Sequence, residues 1–231
     1  MTDTAKPPAR DPFDLPDVST LTVGVLGGTG EQGRGLAYRW AQAGQRVIIG
    51  SRDEQRAQAV AADLGATVEG ATNVVCAARA DVVVAAVPWA GHEALLTELR
   101  TALVGKIIVD CVNPLGFDKQ GAFALAVAQG SAAQQAAELL PDSTVVAAFH
   151  HISAVLLLDH SVPTLDTDVL VLGDKREATD TVQALANRIP GLRGIYGGRL
   201  RNAAQVEAFT ANLISINRRY KAHGGVRITD V

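Results

Sequence analysis

Hydrophobic and polar positions alternate in blocks from Leu21 onward. Leu21–Leu26 is a short apolar run rich in Val and Leu, and Gly33–Ala43 follows with Leu36, Ala37, Trp40 and Ala41 at helical spacing. Arg46–Ile49 repeats the buried-strand pattern, and Glu54–Leu64 predicts a helix rich in Ala and Gln that stops at Gly65. Thr67–Glu69 predicts a short strand, Asn73–Arg79 a helix, and Asp81–Val87 a strand of nearly continuous Val and Ala. Trp89–Leu99 is amphipathic through Leu95, Leu96 and Leu99, and Lys106–Val112 is the next strand. Strands that are apolar on both sides and separated by helices specify a parallel sheet covered on both faces, because parallel neighbours need crossovers that lay helices over the sheet. The expected fold is a doubly wound, mostly parallel α/β sheet.

Beyond Pro114 the pattern loosens. Gly116–Gly121 reads as a loop, Ser131–Leu140 as a helix closed by Pro141, and Thr144–Phe149 as a strand ending in His150-His151. The remainder holds a Leu run at Leu156–Leu158, a strand at Asp168–Leu172, a helix over Glu177–Arg188 stopped by Pro190, and a strand at Leu192–Tyr196. A final helix over Asn202–Tyr220 carries Val206, Phe209, Leu213, Ile214 and Ile216 on broadly one side, fit to cover the sheet or to build a dimer interface. The chain thus divides into an N-terminal arm over 1–19, expected to be mobile or loosely draped, a nucleotide-binding domain over 20–150, and a smaller C-terminal α/β part over 151–231.

Composition adds exclusions. Of 231 residues, 48% are hydrophobic and 19% charged, which suits a globular chain and not a disordered one. A net charge of −3 provides no basic stripe for a phosphate backbone, so nucleic acid is not an expected partner. Every apolar run is interrupted by charge or glycine short of the roughly 18 residues a membrane span needs. The proline-bearing N-terminus has no signal-peptide run. Cys76 and Cys111 sit inside apolar runs, as buried thiols in a reducing compartment do, and the expected location is the cytoplasm. No Cys, His and acidic residues stand at metal-ligand spacing, so no metal is expected.

The chemistry concentrates at strand ends. Gly28-Thr29-Gly30-Glu31-Gln32-Gly33, preceded by Gly27, follows a strand and opens a helix inside a βαβ unit, the context of a Rossmann-type dinucleotide fingerprint. In that reading one glycine makes the turn, one admits the pyrophosphate to the backbone amides of Glu31 and Gln32, and one lets helix and strand pack closely, while Thr29 adds a hydroxyl. At the end of the second strand, where NAD sites place a carboxylate, the chain has Gly50-Ser51-Arg52, with Arg56 one helical turn later. A hydroxyl and two guanidinium forks suit a 2′-phosphate, which selects NADP(H). Asp53 is the dissenting carboxylate and also fits a helix start.

These blocks together resemble the NADPH-dependent oxidoreductases of the deazaflavin coenzyme F420: Gly27-Gly28-Thr29-Gly30, Gly50-Ser51-Arg52, Val87-Pro88-Trp89 and His150-His151-Ile152, spaced alike from about Leu21 to Ile228. The resemblance implies reversible hydride transfer between NADP(H) and coenzyme F420, by a homodimer. It places Gly28 to Gln32 at the pyrophosphate, Ser51, Arg52 and Arg56 at the 2′-phosphate, Val87, Pro88 and Trp89 beside the cofactor, and Asn113 on the nicotinamide side. It places the amides of Ile152 and Ala154 at the paired rings, with the stretch near Val226 closing over the deazaflavin. Ser153 stands where relatives are expected to carry a proline.

Hydride transfer between two carriers asks for stacking, distance and a dry cleft, which explains the absence of a nucleophilic triad from the sequence. His150 and His151 are candidate hydrogen-bond donors for the proton that accompanies deazaflavin reduction; otherwise one caps a strand end and the other meets solvent. His92 is expected at the surface, Trp40 in the core, and Arg199 and Arg201 either on an anionic coenzyme tail or in surface pairs. Two other readings stay open: an NADP-dependent imine or flavin and metal reductase, and a non-enzymatic NADPH-sensing Rossmann protein.

Overall fold

A computed structural model describes residues 11–231. Its first half is a βα alternation: β1 (Thr22–Leu26), α1 (Glu31–Gln42), β2 (Arg46–Ser51), α2 (Glu54–Leu64), β3 (Val68–Thr72), α3 (Asn73–Arg79), β4 (Val82–Ala85), α4 (Trp89–Leu99) and β5 (Ile107–Asp110). A hairpin, β6 (Leu115–Asp118) and β7 (Gly121–Ala124), then leads to α5 (Ala132–Leu139), β8 (Thr144–Ala147), α6 (Ala154–Leu158), β9 (Thr167–Gly173), α7 (Arg176–Asn187) and β10 (Leu192–Gly198). A 3₁₀ turn at Leu200–Asn202 introduces the last helix, α8 (Ala203–Tyr220).

Eight strands form one sheet in the order β10-β9-β8-β5-β4-β1-β2-β3. Neighbours are parallel except at β8 and β9, so β9 and β10 extend the same sheet in the opposite direction. The part beyond residue 150 therefore shares the sheet of the nucleotide-binding half. Alternation along the strands explains two buried cores, one on each face. Val23, Val25, Val84 and Val109 meet Leu36 and Trp40 of α1, Ala57 of α2, Leu157 of α6 and Val182 of α7. Leu26, Val83, Ile108 and Val145 meet Cys76 of α3, Leu96 of α4, Ala133 of α5 and Val206 of α8.

Three expectations change. The segment Gly116–Gly121, expected as a loop, joins an antiparallel hairpin, with Phe117↔Ala122 and Asp118↔Gly121 in register and the Asp118 carboxylate holding the turn through the amides of Gln120 and Gly121. On α8 the buried stripe is Ala203, Val206, Glu207, Ala211 and Leu213, leaving Phe209 and Ile216 exposed. Within the expected N-terminal arm, Leu15 and Val18 pack on the core, and Gln45 donates to the Val18 carbonyl at 3.0 Å. Residues 1–10 of that arm lie outside the described residues.

Candidate active site

The strand order reverses between the parallel neighbours β1 and β4, from which the chain winds outward to opposite edges of the sheet, and ligands of such sheets bind outside the carboxyl ends of the strands at that point. The turn after β1 is forced to be glycine at Gly27, whose φ is +75° and whose added Cβ would lie 2.4 Å from the Ala86 carbonyl. The left-handed residue is thus one position before the fingerprint. At Gly33 a Cβ would come 2.7 Å from the Gly27 carbonyl, so the third fingerprint glycine is the one that lets α1 close on the turn. No side chain caps α1 at Gly30, so its first amides face outward with the positive end of the helix dipole.

A cavity of about 470 Å³ opens there, and it brings together Thr29, Gly30, Ser51, Arg52, Arg56, Val87 and Pro88. Parallel register explains the assembly: Leu26 at the end of β1 lies beside Gly50 of β2 and Ala85 of β4. Ser51 Oγ accepts the Asp53 amide at 3.2 Å, which leaves its hydroxyl proton for a ligand. The Asp53 carboxylate caps α2 by accepting the Arg56 amide at 3.1 Å, so the dissenting acid is engaged at a helix start. Arg52 and Arg56 are exposed on the rim.

Sequence reasoning missed Asn73 in this cavity. It begins α3 immediately after β3, and its Oδ1 is buried with no partner in the protein. The register pairing Ser51 with Thr72 is the signal that would have found it. Guanidinium forks, a hydroxyl, open helix amides and an orphaned acceptor suit a phosphorylated nucleotide with ribose hydroxyls.

The remaining expected residues fall around this cavity or at the ends of β5 and β8. Gly28 is buried against Ile49, Glu31 is exposed on the first turn of α1, and Gln32 turns its side chain to the Phe149 carbonyl at 3.2 Å, joining the two regions. Phe149 holds a left-handed φ of +63°, pinned by edge contact with Trp40 at 5.5 Å. Asn113 Nδ2 donates to the His150 carbonyl at 2.8 Å. Ile152 is buried, and Ala154 opens α6, whose cap is Ser153, its hydroxyl accepting the Leu156 amide. A role in capping accounts for serine at the position where a proline was expected. Val226 is laced along β9, its amide donating to Thr167 Oγ1 at 2.9 Å and its carbonyl accepting the Asp168 amide at 2.7 Å.

His150 and His151 are each 4% exposed, which corrects the expectation that one of them meets solvent. Burial lowers the pKa of both, that of His150 to about 4, so both rings are neutral near pH 7. His151 Nε2 donates to the Asp168 carbonyl at 2.8 Å, while the buried His150 ring makes no well-formed hydrogen bond and feels the nearby backbone of Val112 and Cys111.

His92 is also corrected, from the surface to complete burial. Its Nε2 lies 2.6 Å from Asp110 Oδ2 and its Nδ1 3.0 Å from Gln135 Oε1, while the Trp89 ring packs at 5.5 Å. Burial opposes charge on this ring, yet the hydrogen bond and charge of Asp110 outweigh it and raise the pKa. Close by, burial lifts the Glu207 carboxyl to about 7 although the amides of Ala132 and Ala133 donate to it. Arg199 donates to the Asp174 carbonyl at 2.9 Å, away from the glycine turn.

Residues 22–114 match the family model described as NADP oxidoreductase, coenzyme F420-dependent. The F420-dependent NADP reductase of Methanothermobacter thermautotrophicus is 40% identical over 226 residues, 93% of this chain and 97% of that protein. Its counterpart in Methanothermobacter marburgensis is 39% identical, over 91% of this chain and 99% of that one. A crystal structure from Arthrobacter sp. FB24, of a protein proposed to be an F420-dependent NADP-reductase, superposes with a TM-score of 0.78 at 28% identity, over 90% of this chain and 99% of that one. Because the similarity extends over 93% of the chain and not over its nucleotide-binding half alone, this protein belongs to the F420-dependent NADP reductase family.

Proposed function

We propose that the protein transfers a hydride reversibly between NADP(H) and coenzyme F420, NADPH, oxidised F420 and one proton giving NADP⁺ and reduced F420. The observation that carries this reading is the convergence of the open α1 terminus with Ser51, Arg52 and Arg56 on one cavity, in a chain of this family. When bound, the two coenzymes supply the reacting carbons, and the protein's task is to select, orient and dry them.

The amides that follow Gly28, Thr29 and Gly30, through Glu31 and Gln32, take the pyrophosphate, and Ser51, Arg52 and Arg56 clasp the 2′-phosphate. Val87, Pro88 and Trp89 form the wall beside the nucleotide, and Asn113, held on the His150 carbonyl, faces the nicotinamide. Ile152 and Ala154 offer backbone donors to the second coenzyme, and the tethered stretch at Val226 closes that side. His150, neutral near pH 7, suits a hydrogen bond to a polar ring atom and not the role of a cation. The exposed α8 face at Phe209 and Ile216 fits a homodimer contact, and two buried free thiols fit a cytoplasmic setting. No described helix is long and apolar enough to cross a membrane.

The test is spectrophotometric. Purified protein mixed with oxidised F420 and NADPH should bleach the deazaflavin band, with NADH far slower at equal concentration. Turnover of a pyrroline carboxylate or free flavin without deazaflavin turnover would replace this reading, and tight NADPH binding with no acceptor reduced would favour a sensor.

A further inference from the structure

The buried polar cluster behind the cleft is unexplained by nucleotide binding. The side chains of His92 and Asp110 are fully buried at 2.6 Å, and such a pair replaced by packed apolar groups generally costs a protein nothing. Its connections lead outward to the cleft. Asp110 Oδ1 accepts the Val112 amide at 3.0 Å, fixing the turn that delivers Asn113. The imidazole of His92, one turn after Trp89 on α4, supports the Trp89 ring.

A second branch closes the circuit. Gln135 of α5 receives the other ring nitrogen of His92, and Glu207 of α8 binds the first two amides of α5 at 2.9 and 3.2 Å. One turn further along α8, Thr210 Oγ1 lies 3.3 Å from both Asn113 Oδ1 and the His150 carbonyl. The chain of contacts therefore runs from Trp89 through His92 and Asp110 to Val112 and Asn113, and returns through Gln135, Glu207 and Thr210 to the same asparagine.

We propose that His92 and Asp110 are positioning residues: their buried ion pair locks the Trp89 turn to the Val112–Asn113 loop, so that both walls of the nicotinamide site are held as one body. This rests on the reading that NADP(H) crosses the strand ends between Thr29 and Asn113. Neither side chain lines the nucleotide cavity, so each acts through Trp89, Val112 or Asn113. Asp110 Oδ2 and Gln135 Oε1 on its two nitrogens draw the His92 ring toward the imidazolium form, the direction in which Asp110 raises its pKa. The ionisable groups around it are Asp110 of β5 and Glu207 of α8, with the neutral His150 and the un-ionised thiol of Cys111 in turn within electrostatic reach of Asp110.

The experiment compares the full-length protein with His92→Gln, Asp110→Asn and the double variant. Adenosine 2′,5′-bisphosphate, which lacks the nicotinamide, should bind all four within about twofold, because the pair does not touch the adenylate half. The emission of bound NADPH should change in both single variants. Their kcat with F420 should fall by roughly 10- to 100-fold, as expected for a misplaced reactant, with KM for NADPH changing by less than about threefold. The double variant should be no worse than the poorer single one.

Unchanged kcat and emission in both folded single variants would overturn the proposal, and so would losses that multiply in the double variant or parallel loss of bisphosphate binding. Should the variants not fold, ring ¹⁵N spectra of the wild type decide: His92 protonated on both nitrogens from about pH 6 to 8 supports the pair, and a neutral ring titrating near its ordinary value of about 6.5 refutes it. If the wild type fails to turn over F420 while still binding NADPH, the proposed function falls, and the emission and bisphosphate arms judge the positioning pair alone.

Discussion

Replacing Arg52 and Arg56 with alanine tests whether the proposed 2′-phosphate site sets the nucleotide preference. Both guanidinium groups lie on the rim of the 470 Å³ cavity beside Ser51 and are exposed, so their removal leaves the core untouched. A hydrogen bond to a charged group contributes about 1.5–3 kcal/mol, and rim exposure argues for the lower end of that range. At about 1.4 kcal/mol per factor of ten, each substitution should weaken NADPH roughly tenfold and the pair roughly 100-fold. NADH lacks the phosphate and should change by less than about threefold. The assay is the ratio of kcat/KM for NADPH and NADH, with nucleotide-fluorescence titrations to give Kd separately. An NADPH to NADH ratio that stays within about twofold of wild type in the double variant would refute the assignment of the 2′-phosphate to this end of β2.

Other consequences follow from the buried charges and thiols. The folded pKa of Glu207, about 7, lies above its ordinary value, so its contribution to stability is complete at low pH and is lost as pH rises from about 4.5 to 7. His150, held down to about 4, acts oppositely, and its contribution is lost as pH falls from about 6.5 to 4. Glu207→Gln should therefore unmask a steeper gain of stability with rising pH across that window, read from denaturant midpoints. Asp168 is fully buried, and although burial opposes its charge, Arg193, the Ile228 amide and Arg227 hold its pKa to about 2. Asp168→Asn should cost about 3 kcal/mol and speed hydrogen exchange along the Gly224–Val231 stretch, which Arg193 also ties through the Ile228 carbonyl at 2.7 Å. Cys76 and Cys111 are buried and free, with the Cys76 thiol pushed by burial up to about 12, so neither should react with a thiol reagent until the protein unfolds.

How far the sequence reads through to this structure depends on where burial leaves a pattern. The βα alternation was plain because both faces of each parallel strand are covered, and Asp53 and Gly65 mark the two ends of α2 as a cap and a stop. The gathering of the glycine turn with Ser51, Arg52 and Arg56 on one cavity was legible because that cavity is built from local backbone and strand ends. The hairpin was not: its strands are four residues long and partly exposed, with Phe117 and Phe123 outside, so no alternation distinguishes them from a loop. His92 was missed although Trp89, His92, Leu96 and Leu99 share one helical stripe, because a histidine among apolar positions discloses its burial only when its partner is known. That partner, Asp110, closes an apolar strand and was itself the unnoticed signal, since a buried carboxylate requires compensation. Glu207 sits likewise between Ala203 and Ala211 on the buried side of α8.

In the proposed reaction the hydride passes directly between two carriers held in one cleft. That passage is tested most directly with NADPH carrying deuterium at both C4 positions, oxidised F420 and protein in ordinary water, followed by mass analysis of the reduced deazaflavin. Direct transfer predicts one deuterium retained in the product. Reduced deazaflavin without deuterium would contradict the account, since the hydride would then have passed through an exchanging site.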